Sequence, residues 1–179
     1  MVVTLRVPMG ARATGSVDRV QVIRSLDACP RPPEGTAITL GFFDGVHLGH
    51  QLLIGEARRL AAEQEARSAV VTFDQHPAAV VRPASAPRLL TTLEHRLELL
   101  AATGVDHVVV VAFDEARSKE SPEDFVEGVL VDCLRTRAVV VGADFHFGHE
   151  RRGDVALLTE MGRDRGFEVE GVQLLGSGS

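Results

Sequence analysis

Along the chain, short apolar runs alternate with longer segments whose apolar residues recur at helical spacing. The runs at 36–40, 68–73, 106–112, 137–142 and 167–174 predict five core strands. Residues 19–24 alternate apolar and polar and predict a further strand at a sheet edge. Leu53, Ala57, Leu60 and Ala61 fall on one face of a helix that starts near His47. Thr91 and Glu94 read as a capping box for a helix through Leu93, Leu97 and Leu100, stopped by Gly104. Ser121-Pro122 predicts an N-cap and first-turn proline for a helix with the stripe Phe125, Val126, Val129, Leu130 and Cys133. Asp154 caps a last helix through Leu157, Leu158 and Met161, ended near Gly166. The unbroken apolar run at 106–112 suits a parallel strand covered on both faces. Strands alternating with helices of this length dictate right-handed crossovers. The expected fold is α/β, with a doubly wound, mostly parallel sheet.

Residues 1–18 show no clear periodicity and are expected to form a flexible lead. One domain is expected over 19–175, and Gly-Ser-Gly-Ser at 176–179 reads as a flexible tail. The 179 residues suffice for one core, and 45 % hydrophobic with 25 % charged residues is ordinary for a globular chain. A formal net charge of −6 argues against a nucleic-acid-binding surface. No apolar run approaches the roughly 18 residues of a membrane span, so no membrane partner is expected. Cys29 and Cys133 have no metal or redox spacing and are expected to be reduced thiols, with the cytoplasm as the default compartment.

The chemistry gathers at Gly41-Phe42-Phe43-Asp44-Gly45-Val46-His47-Leu48-Gly49-His50, between the strand at 36–40 and its following helix. A turn at the carboxyl end of a parallel strand is where open α/β sheets bind ligands. His47 and His50 are three apart in the first helical turn, which puts both imidazoles on one face. The first N–H groups of a helix have no internal partners, and the dipole favours an anion there. Gly49 lets a ligand approach closely. The pattern predicts an anion cradle with two imidazole donors, placed to stabilise charge on a phosphate under attack.

Two more strand-to-helix loops open on the same sheet edge. The first carries Phe73-Asp74-Gln75-His76-Pro77, followed by a proline-rich stretch to Leu89 suited to a substrate-binding flap. The second runs from Gly142 through Asp144, Phe145, His146, Phe147 and His149 to Arg151 and Arg152. Asp144 offers an acceptor for ring or ribose donors. Core packing is expected for at least one of Phe145 and Phe147, and a phosphate or plain solvent can meet the arginines.

His-x-Gly-His resembles the signature of the nucleotidyltransferase superfamily. Four stretches occur in order: Gly-Phe-Phe-Asp-Gly-Val-His-Leu-Gly-His at 41–50, Val-Thr-Phe-Asp-Gln-His-Pro at 71–77, Leu-Leu-Thr-Thr-Leu at 89–93 and Val-Gly-Ala-Asp-Phe-His-Phe-Gly at 141–148. Together they resemble the FMN adenylyltransferase module of the bacterial bifunctional riboflavin kinase/FAD synthetase family. The resemblance implies a Rossmann-like nucleotidyltransferase fold and transfer of AMP from ATP to FMN, with Mg²⁺ accompanying ATP. It implies His47 and His50 as the catalytic pair on the triphosphate. It implies Gly41, Phe42, Phe43, Asp44, Gly49, Gly142 and Asp144 on the nucleotide side, and Phe73, His76, Pro77 and Phe145 on the flavin side. It supplies no protein metal ligands, and it implies fusion to a riboflavin kinase domain.

Three departures from the family pattern stand out. Gln75 replaces a usual Pro, which is expected to loosen the flavin loop. Phe42 replaces a common Asn, with little effect expected. The family's Ser-Ser-Thr-x-Ile-Arg motif and kinase barrel are not within these 179 residues, so weak or absent turnover is expected of this chain alone. Two rivals stay open: a flavin- or nucleotide-binding module without turnover, and a related nucleotidyltransferase with another acceptor.

Overall fold

The computed structural model describes residues 2–6 and 19–174. Seven strands form one sheet in the order β1-β2-β5-β4-β3-β6-β7. They are β1 (Val2–Arg6), β2 (Arg19–Ile23), β3 (Thr36–Leu40), β4 (Arg67–Phe73), β5 (His107–Val111), β6 (Thr136–Gly142) and β7 (Glu168–Val172). Every neighbouring pair is parallel except β1 with β2. From β3 the chain winds outward through β4 to β5, then returns across β3 to β6 and β7. The winding direction reverses between β3 and β6, which makes their carboxyl ends the topological switch point.

Among the described residues, six α-helices connect the strands: α1 (Leu48–Glu63), α2 (Pro77–Val81), α3 (Leu93–Ala102), α4 (Glu115–Ser118), α5 (Pro122–Phe125) and α6 (Val155–Arg165). After α5 the coil widens into a π-helix, Val126–Cys133, which keeps Val126, Val129, Leu130 and Cys133 buried. Side chains alternate across the sheet, as period two requires. Ile38, Leu40, Val139 and Val141 face α5, the π-helix and α6. Ala37, Ala138 and Val140 face Leu53, Ala57, Leu60 and Ala61 of α1. Val20, Val22, Val70, Val108 and Val110 pack against Leu97, Leu100 and Ala101 of α3. Both faces are covered, so the doubly wound α/β expectation holds.

Four expectations need correction. The lead is not free of structure, because Val2–Arg6 pairs in register with β2, Val2 opposite Ile23 and Arg6 opposite Arg19. Residues 7–18 and 175–179, including the tail, lie outside the described residues. For the same reason β2 is an inner strand, held by β1 and β5, rather than an edge. The α3 cap is Thr92, whose side chain accepts from His95 N–H at 3.1 Å, and not Thr91. Finally, Cys29 and Cys133 are disulfide-bonded, with Cα atoms 5.0 Å apart and a sequence separation of 104. Local spacing could not show this, because the fold alone brings the approach to β3 against the end of the π-helix. The compartment inferred from reduced cysteines loses that support. No helix among the described residues is long and apolar enough to cross a membrane.

Candidate functional site at the sheet switch point

The turn after β3 is tightly bent. Phe43 (φ 61°), Gly45 (φ 73°) and Val46 (φ 44°) all take left-handed backbone conformations. For Phe43 and Val46 that costs of order 1–3 kcal/mol each. Both side chains are buried in the core, at 2 % and 5 % exposure, and this burial holds the turn. The bend aims α1 so that its first turn rises over the carboxyl ends of β3 and β6. Leu174 spans the gap: its Cδ1 lies 3.5 Å from where a Cβ on Gly49 would sit and 3.9 Å from the same point on Gly142.

His47 is the N-cap of α1, and its Nδ1 accepts from Gly49 N–H at 3.2 Å. That bond leaves Nε2 to carry the proton of the neutral ring. One backbone donor of the expected anion cradle is therefore spent on the cap. A Cβ at Gly49 would meet the His47 ring at 3.1–3.3 Å, so the glycine is what permits this cap. His50 stacks on His47 with ring centroids 3.5 Å apart, and its edge meets Phe43 at 5.1 Å. His50 Nδ1 is buried with no protein partner. Burial, and then the neighbouring His47, push the His50 pKa down to about 4 against a smaller opposing pull from Asp44. At neutral pH His50 is thus an uncharged imidazole.

Asp44 faces the proline-rich loop. Its carboxylate accepts from Leu90 N–H (2.7 Å), Thr91 N–H (3.0 Å) and Thr91 Oγ1 (2.7 Å). Thr91 Oγ1 lies 3.3 Å from Gly45 N–H as acceptor, so the loop is knotted to the turn. Burial acts to raise the Asp44 pKa, but the bonds from Leu90 and Thr91 outweigh it and hold the group below its ordinary value. Asp44 thus anchors the start of α3, a role that sequence spacing did not suggest.

The second loop is also fastened. Asp74 Oδ1 accepts from Gln75 N–H and Phe113 N–H, both at 2.8 Å, and Gln75 Nε2 donates to Phe113 O at 2.6 Å. Gln75 therefore ties the loop to the strand-end beside it instead of loosening it. His76 caps α2 as His47 caps α1, its Nδ1 accepting from Ala78 N–H at 3.0 Å, with Pro77 at the first helical position. Phe73 packs edge-on to Phe113 at 5.6 Å. Phe42 does not stand alone: its ring meets His76 at 4.9 Å, and Arg96 Cζ lies 4.0 Å over its centroid. Arg96, on α3, is 2 % exposed and donates to the Phe73 carbonyl. Sequence reasoning passed over Arg96. Its signal was the spacing Leu93, Arg96, Leu97, Leu100, which puts a guanidinium inside an apolar stripe.

In the third loop Gly142 sits at the end of β6, and a Cβ there would meet Asp144 Oδ1 at 3.2 Å. Asp144 is exposed. Phe147 is buried against Phe125 and bridges to Gly153, while half-buried Phe145 stacks on it at 5.7 Å. His149 Nδ1 lies 3.1 Å from Ser118 O, docking this loop on the end of α4. Arg151 and Arg152 are solvent-exposed. Of the expected residues, His47, Gly49, His50 and Phe43 form one cluster, and Leu174 joins Gly142 to it. Phe42, Phe73 and His76 form a second cluster with Arg96. Among the described residues no set of three or more His, Cys, Asp or Glu side chains is grouped to hold a metal ion.

Comparison with known proteins gives the site its context. The sequence pattern of the family described as FAD synthetase matches residues 29–179. A bifunctional riboflavin kinase/FMN adenylyltransferase of Pseudomonas fluorescens is 37 % identical over 154 residues, 86 % of this chain and 49 % of that protein. The protein of that name from Escherichia coli K12 is 36 % identical, over 79 % of this chain and 45 % of its own length. That from Listeria monocytogenes is 41 % identical, over 74 % of this chain and 42 % of its own. The chain spans about half the length of the curated relatives it matches. A crystal structure titled as a macrolide-efflux protein from Streptococcus pneumoniae superposes with a TM-score of 0.71 over 88 % of this chain and 52 % of that one. At 21 % identity it shows a shared fold alone.

Proposed function

The chain belongs to the FAD synthetase family, and from that membership we propose that it transfers AMP from MgATP to FMN, giving FAD and pyrophosphate. An FMN phosphate oxygen attacks the α-phosphorus in line. The new O–P bond forms as the bond to the β-phosphate oxygen breaks, and pyrophosphate carries the released electron pair. The attacking oxygen is already ionised, so the reaction asks the protein for no base and no nucleophile of its own, only positioning and charge stabilisation.

One observation carries the reading. A stacked pair of imidazoles, one of them held neutral, sits on the first turn of a helix at the switch point of the sheet. His47 Nε2–H, oriented by the Gly49 cap, is a fixed donor toward this mouth. A neutral His50 adds hydrogen-bond capacity without gripping the ground-state triphosphate as a full charge would, which favours the transition state over substrate. Gly41, Phe43, Gly49, Gly142 and Asp144 then line the nucleotide side, with Asp44 bracing it; Phe42, implied on that side by the resemblance, packs on His76 and Arg96 and is read with the flavin side instead. Phe73, His76, Pro77 and Phe145 serve the flavin side. Magnesium enters with ATP as part of the substrate, held by phosphate oxygens and water.

Incubating the chain, extended by the family's Ser-Ser-Thr-x-Ile-Arg segment, with FMN and MgATP and separating the flavins by chromatography tests the reading; these 179 residues alone should bind ATP and turn over weakly or not at all. FAD should form with pyrophosphate in equal amount, and riboflavin offered instead of FMN should remain unchanged. Binding of both substrates with no FAD at high protein concentration would favour a binding module. Product with CTP but not ATP, or with another phosphate acceptor in place of FMN, would favour a related transferase.

A further inference from the structure

Arg96 itself has no part in the chemistry above, yet it is expensive to keep. A guanidinium carries five donors and a permanent charge, and burying it unpaired is costly. At 2 % exposure Arg96 is nearly sealed from solvent, and its Nε has no hydrogen-bond partner. What it does touch is specific: the face of Phe42, 4.0 Å from Cζ, and the carbonyl of Phe73. Phe42 follows β3, Phe73 ends β4, and Arg96 rides on α3, so one side chain joins three elements. The Phe42 ring also meets His76 in a T-shaped contact, with centroids 4.9 Å apart. Asp44 and Asp74 supply the surrounding negative field.

The geometry points to Arg96 as a positioning residue that fixes the Phe42–His76 wall and so sets the affinity for the flavin acceptor. This rests on the proposed transfer to FMN. Arg96 is too buried to touch a substrate itself, so it acts through the ring it stacks on. A cation on one π face holds Phe42 in one rotamer, and the bond to Phe73 O locks that rotamer to the end of β4. Phe42, in place of a common Asn, is then matched to Arg96, and its effect is larger than the family comparison suggested. The nucleotide side, built on α1 and the Gly142 loop, does not touch Arg96.

Two single variants, their combination and R96K test this: R96M keeps the stem and removes the cation, and F42L removes the ring. Dissociation constants for FMN, from flavin fluorescence, and for ATP, from calorimetry, are compared with wild type. Loss of one desolvated cation–π contact corresponds to roughly tenfold weaker FMN binding. That loss is expected in each single variant, with ATP binding within about twofold and little further loss in the double variant. R96K, which keeps a cation but not the planar stack, should fall between wild type and R96M. Unchanged FMN affinity in a folded R96M, or equal weakening of both ligands, overturns the proposal. If R96M does not fold, F42L decides by the same criteria. A wild-type chain that binds no FMN removes the underlying reading and the proposal with it, whereas retained binding in both variants removes the proposal alone.

Discussion

His50 shows how a residue's neighbours decide its chemistry. Alone, an imidazole at a helix start titrates near 6.5; here burial and the stacked His47 bring it to about 4. Removing it should cost transition-state stabilisation, so H50A is expected to lower AMP transfer by roughly 10²–10³-fold, the loss typical of a missing oxyanion donor. Steady-state kinetics check this; a variant with wild-type turnover would contradict it. The same shift has a stability consequence. A folded-state pKa below the unfolded one means the unfolded chain binds the extra proton first. The contribution is therefore complete above about pH 6.5 and is lost as pH falls to about 4. After discounting for partial solvent contact it amounts to about 1–2 kcal/mol. Urea midpoints at pH 7 and pH 4.5 should show this loss in wild type and a smaller one in H50Q. Equal slopes in the two proteins would contradict the assignment.

The Asp44–Thr91 knot belongs to the scale of elements, because it joins the β3–α1 turn to the entry of α3. T91V removes the hydroxyl that Asp44 accepts from and that Gly45 N–H approaches. A stability loss of about 1–2 kcal/mol follows from stranding these half-buried groups. Denaturant unfolding measures it, and an unchanged midpoint would show that the knot holds nothing. This element also marks how far sequence reasoning reached. The identities of β2 to β7 and of α1, α3, α5 and α6 were legible, since each rests on periodicity within one segment; the short α2 and α4 were not. The α1 start and the Ser121 and Asp154 caps were legible for the same local reason. Thr91 fitted the capping-box spacing to Glu94, but its hydroxyl and amide are taken by Asp44, 47 residues away in sequence, and Thr92 caps the helix instead. Gln75 likewise read as a loosened proline until Phe113 was seen to receive its amide. The two histidines were legible as a pair on one helix face. Their ring stacking and the Arg96–Phe42 contact were not, because both depend on where separate elements meet.

For the whole molecule, the long-range links lie where no spacing rule applies. β1 pairs with β2 although no periodicity announced it, and Cys29 meets Cys133 across 104 residues. Closing a loop of that length restrains the unfolded chain, and its reduction is expected to lower unfolding stability by about 2–4 kcal/mol. Thiol titration in denaturant should find no reactive cysteine before reduction and both after it; two reactive thiols without reductant would contradict the link. The largest claim at this scale is that a doubly wound sheet, with its imidazole pair at the switch point, joins a nucleotide to a flavin phosphate. Following isotopic label from ATP into flavin tests it most directly. With ³²P in the α-phosphate of ATP, FMN as acceptor and the chain extended by the family's Ser-Ser-Thr-x-Ile-Arg segment, label should appear in a product that co-migrates with FAD. With ³²P in the γ-phosphate, label should appear in pyrophosphate only. Label from the γ-phosphate in flavin, or no label in flavin from either position while both substrates bind, would contradict the claim.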